Sequence, residues 1–202
     1  MKKVLFFAVF AFFAMTATYA QASFGAKAGV NFASLNGDDV DDLDGRTNFH
    51  IGGVANFELS ELISLQPELV FSQQGAKYED NDGTDKEEGT LKLSYINIPV
   101  LLDFTLAEGF SLQAGPQFGI NVVAEEEYDY SYEIFGETIS ESGTEDIDDV
   151  ETLDMGVAAG AQFKMENGLF FQARYVIGFS EIIKDVKAKN SVVSLSVGWF
   201  FN

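Results

Sequence analysis

The end of the chain alternates strictly between apolar and small or polar residues. Over residues 191–201, Val193, Leu195, Val197 and Trp199 share one face, and small or polar residues occupy the other face as far as Gly198. This alternation predicts a β-strand with one apolar face. Its length matches the roughly 9–11 residues that a tilted strand needs to cross a bilayer. Because open strand edges are not tolerated in hydrocarbon, the segment predicts a closed barrel.

Seven further segments repeat the alternation. They lie at about 24–32, 48–59, 63–74, 91–104, 110–122, 152–163 and 169–178. Together with the last segment they predict an all-β, eight-stranded, antiparallel up-and-down transmembrane β-barrel. In the fourth segment, Leu91 and Leu93 fall on the otherwise polar face. We expect either a β-bulge near Ser94 or a position beyond the membrane edge, where the alternation no longer matters.

The connections between these segments alternate in length. Short turns lie at about 60–62, 107–109 and 166–168, and long connections lie at 34–46, 75–90, 124–151 and 180–190. This pattern is typical of an outer-membrane barrel with short periplasmic turns and long extracellular loops. The four long connections hold 25 of the 32 acidic residues, so we expect acidic extracellular loops.

A soluble β-sandwich or lipocalin-like barrel is the main structural alternative. In such a fold the apolar faces would point inward and the polar faces would meet water. The polar faces here are rich in Gly, Ser, Asn and Gln rather than Lys and Glu, which favours a crowded lumen over a soluble surface.

The N-terminus has the pattern of a secretory signal peptide. Lys2 and Lys3 precede an apolar run over residues 4–14, and small residues follow. We expect a signal peptide over residues 1–20, with cleavage as late as residue 22, and a barrel domain over 21–202. A membrane-anchor helix is the alternative, but the apolar run is short for a span.

Charge and composition limit the partners. The chain has no cysteine and a formal net charge of −20, so it lacks the basic footprint of a nucleic-acid-binding protein. We expect localisation in the bacterial outer membrane, in contact with its lipid and lipopolysaccharide. The barrel-assembly machinery is expected to act during insertion, and an extracellular or envelope protein partner of unknown identity is a further expectation. No cofactor is predicted.

Five charged or titratable residues are predicted to face the lumen as a structural polar network: Lys27, His50, Glu68, Asp103 and Arg174. Buried charges must pair, and the interior of an eight-stranded barrel is just filled by side chains, so we favour a polar plug over an ion path. The single histidine, His50, also admits a Ser-His-acid hydrolase. The sequence lacks a Gly-x-Ser-x-Gly motif, so no catalytic residues and no enzyme activity are predicted.

Two acidic stretches are rich in the hard oxygen ligands that suit calcium. They comprise Asp38, Asp39, Asp41, Asp42 and Asp44, and Asp80, Asp82 and Asp85. Their spacing does not fit an EF-hand. We therefore expect solvated acidic loops that bind divalent ions weakly at most, and no dedicated metal site. Tyr128, Tyr130 and Tyr132 alternate in the third long connection, as they would in an extended hairpin that either binds a partner or packs on itself.

Two motifs resemble a known family. Residues 95–104, YINIPVLLDF, and residues 112–119, LQAGPQFG, are similar to the PorT-type outer-membrane β-barrel family abundant in Bacteroidota. The resemblance implies a small eight-stranded barrel and implies little about activity. The first functional hypothesis is a non-enzymatic protein with a structural or surface-interaction role through its acidic loops. The second is a small transport or secretion-accessory component, and the third is a lipid-A-modifying enzyme.

Overall fold

The computed structural model describes residues 22–37, 40, 43–81, 85–134, 137–184 and 186–201. The signal peptide predicted for residues 1–20 lies outside these ranges and stays a prediction. None of the helices in the described part of the chain has the length and apolar character needed to span a membrane.

The described residues form nine strands. They are β1 (Ala22–Asn36), β2 (Asp44–Ser60), β3 (Ile63–Asn81), β4 (Asp85–Ala107), β5 (Phe110–Ile134), β6 (Glu137–Asp146), β7 (Leu153–Lys164), β8 (Leu169–Gly178) and β9 (Lys189–Phe201). Every strand pairing between them is antiparallel.

Eight of these strands close into a ring. Strands β1 to β5 pair in sequence, β5 pairs with β7, β7 with β8, β8 with β9, and β9 returns to β1. Strand β6 pairs only with β5 within the described residues, so it stands outside the ring. The predicted antiparallel up-and-down ring is confirmed. The ninth strand was not among the eight predicted strands, but it completes the extended hairpin that the alternation of Tyr128, Tyr130 and Tyr132 indicates.

The two faces of the wall differ as the alternation predicts. In β9 the side chains of Leu195 and Trp199 lie on the exposed outer surface, whereas Ser196 and Phe200 are buried inside. Leu195 is 48% exposed and Ser196 is 7% exposed. The same division recurs around the ring, so a belt of apolar side chains covers its outside. This apolar surface is far larger than the apolar patches that a monomeric protein exposes to water. The soluble alternative, with the apolar faces inward, is therefore wrong.

Three tight turns join the strands at one end of the barrel, here called the short-turn end. Gly109 and Gly168 have φ of 73° and 89°. These left-handed conformations are ones that glycine adopts without a Cβ penalty. The other end, which carries the four long connections, is called the long-connection end.

Two of the four long connections are mostly strand rather than loop. Strands β3 and β4 stay paired as far as Asn81 and Lys86, and β5 continues to Ile134, paired with β6. The prediction of long acidic loops at 75–90 and 124–151 is therefore wrong in conformation, because most of these acidic residues lie on paired strands. Beyond the hydrocarbon neither strand face has to be apolar, so the alternation fades while the backbone pairing persists.

Candidate functional site

An ion triad crosses the middle of the lumen. The Lys27 Nζ lies 2.6 Å from Glu68 Oε2, and the Arg174 guanidinium donates from Nη1 to Oε2 and from Nη2 to Oε1, each at 2.7 Å. The Glu68 side chain is fully buried. Fork geometry of this kind is the strongest form of a carboxylate–arginine contact. The triad thus connects β1, β3 and β8 across the barrel.

Small neighbours leave room for the triad. Lys27 lies between Gly52 of β2 and Gly198 of β9 in the strand register, and Arg174 lies beside Gly160 of β7. Because these glycines have no side chains, the two long basic side chains can extend across the lumen.

Asp103 faces the lumen, as predicted from its phase, but its hydrogen bonds go to neutral side chains. Its Oδ2 accepts hydrogen bonds from Ser111 Oγ at 3.0 Å and from Gln113 Nε2 at 2.6 Å. Gln113 Oε1 in turn accepts from Arg174 Nη2 at 3.4 Å. Asp103 therefore reaches the triad only through the amide of Gln113.

Glutamines complete the network, and the sequence reasoning did not single them out. Gln172 Oε1 accepts from Lys27 Nζ at 2.8 Å, and Gln172 Nε2 donates to Gln113 Oε1 at 2.7 Å. Gln66 donates to Glu68 at 3.0 Å and to Gln162 at 3.3 Å. Each of these four glutamines lies at a lumen-facing position of a different strand. This shared alternation phase is the sequence signal that could have identified them.

His50 joins a second buried network. Its Nδ1 lies 2.8 Å from Asn31 Oδ1, and its Nε2 lies 2.8 Å from Ser196 Oγ. Gly29 lies between His50 and Ser196 in the register, and a Cβ there would come within 2.7 Å of the His50 ring. The missing side chain lets the imidazole reach across β1 to β9.

The order Ser196, His50, Asn31 resembles a hydrolytic triad, but its surroundings do not. The three residues are 7%, 3% and 1% exposed. The cavity beside His50 has a volume of about 30 Å³, which is space for one water molecule and not for a lipid ester. The arrangement therefore supports a structural network.

An apolar cap covers the polar lumen at the long-connection end. Its buried members are Leu35, Ala76, Leu93, Tyr95 and Ile182, and Val40, Leu43, Leu91, Ala124, Ile147, Val150 and Ile183 pack against them. All four long connections or their flanking strands contribute. The cap also explains the irregular fourth segment, because Leu91 and Leu93 remain on the lumen phase.

A β-bulge does occur opposite Ser94, in β5 rather than in β4. Ser94 pairs with Val123 and Tyr95 pairs with Asn121, so Val122 has no partner on β4. Val122 and Val123 are both exposed. The side-chain phase of β5 switches at this point, where the strand leaves the ring.

At the short-turn end the lumen opens into a cavity of about 260 Å³ lined in part by Asp103, Ser111 and Gln162. Phe170 and Phe200 pack with ring centroids 4.8 Å apart on its inner side, next to Val54. From the long-connection end to the short-turn end, the interior therefore holds an apolar cap, a polar network and a second apolar cluster. Side chains fill the middle of the lumen.

The proposed divalent-ion residues do not form a described site. Asp38, Asp39, Asp41, Asp42 and Asp82 lie outside the described residues, and only the backbone of Asp85 is described. Asp44 and Asp80 are exposed. Among the residues that the structure covers, no group of three or more His, Cys, Asp or Glu side chains is arranged to hold a metal ion.

Strands β3, β4 and β5 continue beyond the ring at the long-connection end and form, together with β6, a four-stranded antiparallel sheet, here called the protruding sheet. Strand β5 leaves β7 after Ile120 and then pairs with β6 from Glu125 to Ile134. One face of the protruding sheet carries the salt bridges of Lys86 with Glu79 and Glu88, and of Lys92 with Glu127.

A closed antiparallel ring with a polar interior and an apolar outer belt defines a transmembrane β-barrel. Residues 17–184 match the model of the outer membrane protein beta-barrel domain, and the chain belongs to this family. The protein is accordingly located in the bacterial outer membrane. A search of curated protein sequences found no match.

Solved structures share the fold. Ail, the attachment invasion locus protein of Yersinia pestis, is 18% identical, with a TM-score of 0.51, and the match covers 89% of this chain and 99% of Ail. Neisserial surface protein A is 15% identical, with a TM-score of 0.52, and the match covers 89% of this chain and 99% of that protein. At such identities the likeness concerns the fold alone.

Proposed function

We propose that the protein is a non-enzymatic surface-interaction protein that presents the protruding sheet outside the cell. The observation that carries the proposal is the length of β5, which pairs with β7 only as far as Ile120 and continues to Ile134 beside β6. A barrel needs no such extension to span the bilayer. With the short turns periplasmic, as is usual for this class, the protruding sheet is extracellular.

The outer edge of β6 gives the sheet a place for a partner. In the described part of the chain β6 pairs on one side only, and its residues are mostly exposed. An unpaired edge can accept a further strand through its backbone groups. The acidic side chains Glu137, Glu141, Glu145 and Asp146 along this strand would repel acidic partners and favour basic ones.

The two alternatives have weaker support. A transport role requires a path, but the Lys27–Glu68–Arg174 triad and its glutamines fill the middle of the lumen. A lipid-A-modifying role requires an accessible nucleophile, and Ser196 is buried.

The names of Ail and of Neisserial surface protein A refer to attachment and to the surface, which supports the proposal by analogy of fold only. Membrane lipid, lipopolysaccharide and the assembly machinery are proposed as general partners.

The test is to remove the β5–β6 half of the protruding sheet and keep the barrel. Residues 127–144, the outer part of the β5–β6 hairpin, are replaced by an Asn-Gly turn, which joins antiparallel strands tightly. Proteins cross-linked to the wild type and to this variant on intact cells are then compared, at equal amounts of folded barrel. We expect an envelope or extracellular partner that only the wild type captures. Identical cross-linking patterns would contradict the proposal.

A further inference from the structure

The second face of the protruding sheet contains a shallow groove, here called the tyrosine–glutamate groove. Its volume is about 410 Å³, and it is lined by Tyr78, Glu87, Glu126, Tyr128, Tyr130 and Glu141. All four strands of the sheet contribute. By alternation this face continues the lumen side of the barrel wall and lies opposite the face that carries Lys86 and Lys92.

Glycines shape the floor of the groove. Tyr78, Gly89, Tyr128 and Gly143 follow one another across the four strands in register. A Cβ at Gly143 would lie 2.6 Å from the Tyr128 Oη and 2.7 Å from its Cζ, and a Cβ at Gly89 would overlap the Tyr78 ring. Each ring therefore lies across a neighbouring glycine and is half-buried, so that part of its aromatic surface faces the groove.

The salt bridges identified among the described residues of the protruding sheet do not include the three carboxylates of the groove. Neither Glu87, Glu126 nor Glu141 forms a salt bridge with a lysine or arginine of the described residues, whereas the opposite face pairs its lysines with glutamates. The Tyr78 hydroxyl donates to Glu126 Oε1 at 2.8 Å and holds that carboxylate in place. Burial, and then the hydrogen bond to Glu126, raises the pKa of Tyr78 to about 12, so the phenol remains a neutral donor at physiological pH.

We propose that the tyrosine–glutamate groove binds a lysine or arginine side chain of an extended basic segment of a partner protein. Aromatic faces beside carboxylates attract a cation both through the ring quadrupoles and by direct charge attraction. A protein segment is the occupant that fits, because Glu141 lies on β6, whose outer edge is unpaired in the described residues. A strand added there would place every second side chain on the groove face, next to Glu141. This inference rests on the proposed surface-interaction role and specifies its ligand class.

The experiment measures the binding of a labelled synthetic peptide of alternating lysine and threonine to the full-length barrel in lipid nanodiscs. Glu126→Gln removes one groove charge, and Tyr128→Leu removes one aromatic ring. Asp129→Asn is the matched control, because Asp129 lies on the same strand, is exposed on the opposite face, and loses the same charge. We expect about fivefold weaker binding for each groove variant, as for loss of one cation–aromatic contact, and unchanged binding for the control.

Several results would overturn the inference. Equal weakening by Asp129→Asn would mean that net charge, and not the groove, attracts the peptide. Equal binding of an acetyl-lysine version would mean that the lysine charge is not recognised, and failure of the wild type to bind the peptide would contradict the inference outright. Binding of tetramethylammonium chloride without binding of the peptide would indicate a small-cation site instead. The proposed function is tested separately. Loss of cross-linking on deletion of residues 127–144, with peptide binding unchanged by Glu126→Gln and Tyr128→Leu, would support the surface-interaction role and contradict the groove.

Discussion

Replacing Glu68 with glutamine is expected to destabilise the barrel more than removal of either basic partner. Glu68→Gln keeps the shape of the side chain and removes its charge. Lys27 and Arg174 would then face each other in the lumen without a direct counter-charge, and an amide would replace an oxygen that now accepts from one of them.

The magnitude follows from what each variant leaves behind. Loss of the partner of a buried ion costs about 3–5 kcal/mol, which we expect for Glu68→Gln. Lys27→Met leaves the two-bond Arg174–Glu68 pair intact and removes the contacts of Lys27 with Glu68 and with Gln172, so about 1–2 kcal/mol is expected. Arg174→Met leaves the Lys27–Glu68 pair but loses the forked contact, which gives an intermediate cost of about 2–3 kcal/mol.

The assay is urea unfolding of each variant in lipid vesicles, with the free energy of unfolding obtained by linear extrapolation. Ser111→Ala serves as a control, because it removes a lumen hydrogen bond to Asp103 without removing a charge and leaves the triad unchanged. A Lys27→Met protein as unstable as Glu68→Gln would refute the reasoning. So would a Glu68→Gln protein within about 1 kcal/mol of the wild type, which is the size of one ordinary hydrogen bond.

Other predictions address topology, the lipid face, the lumen and chemistry. An epitope tag at Ser142 should be detected on intact cells; detection only after permeabilisation would reverse the orientation. Leu195→Arg should cost about 2–4 kcal/mol in vesicle unfolding, whereas Thr144→Arg on the exposed β6 should stay within about 0.5 kcal/mol; equal costs would contradict the lipid-facing assignment. The wild type should give no discrete currents in planar bilayers at neutral pH, and steady single channels would exclude a packed lumen. The mass spectrum of lipid A should be the same for cells with wild-type protein and with Ser196→Ala, and a difference would reopen the hydrolase hypothesis.

The ring was predictable because lipid and lumen impose opposite requirements on alternate residues. A strand such as β9 must place Leu195 in hydrocarbon and Ser196 inside, so the alternation in its sequence identifies the residues of both faces. The same logic explains why β6 and the outer parts of β3 to β5 were taken for loops. Water surrounds both of their faces, and only the alternation of Tyr128, Tyr130 and Tyr132 hinted at a strand.

The sequence predicts which residues face the lumen, but it does not determine which of these residues contact each other. Phase alone places Lys27, Glu68, Asp103 and Arg174 inside. Which of them meet depends on strand tilt and stagger around the closed ring, which no single segment encodes. Thus Glu68 pairs with both basic residues, while Asp103 meets Ser111. The PorT-type assignment, the Bacteroidota source and the signal peptide stay predictions.

The continuity of β4 and β5 has a mechanical consequence. Each runs without interruption from the short-turn end to the protruding sheet, over Asp85–Ala107 and Phe110–Ile134. Residues 122–134 extend about 40 Å beyond the ring at roughly 3.3 Å per residue, and a strand tilt of about 40° leaves a height of roughly 30 Å. Because β4 and β5 pass directly from the wall into the sheet, with a β-bulge at Val122 as β5 leaves the ring, a captured partner would be held at a set distance from the membrane, and a pull on it would act on the barrel wall itself.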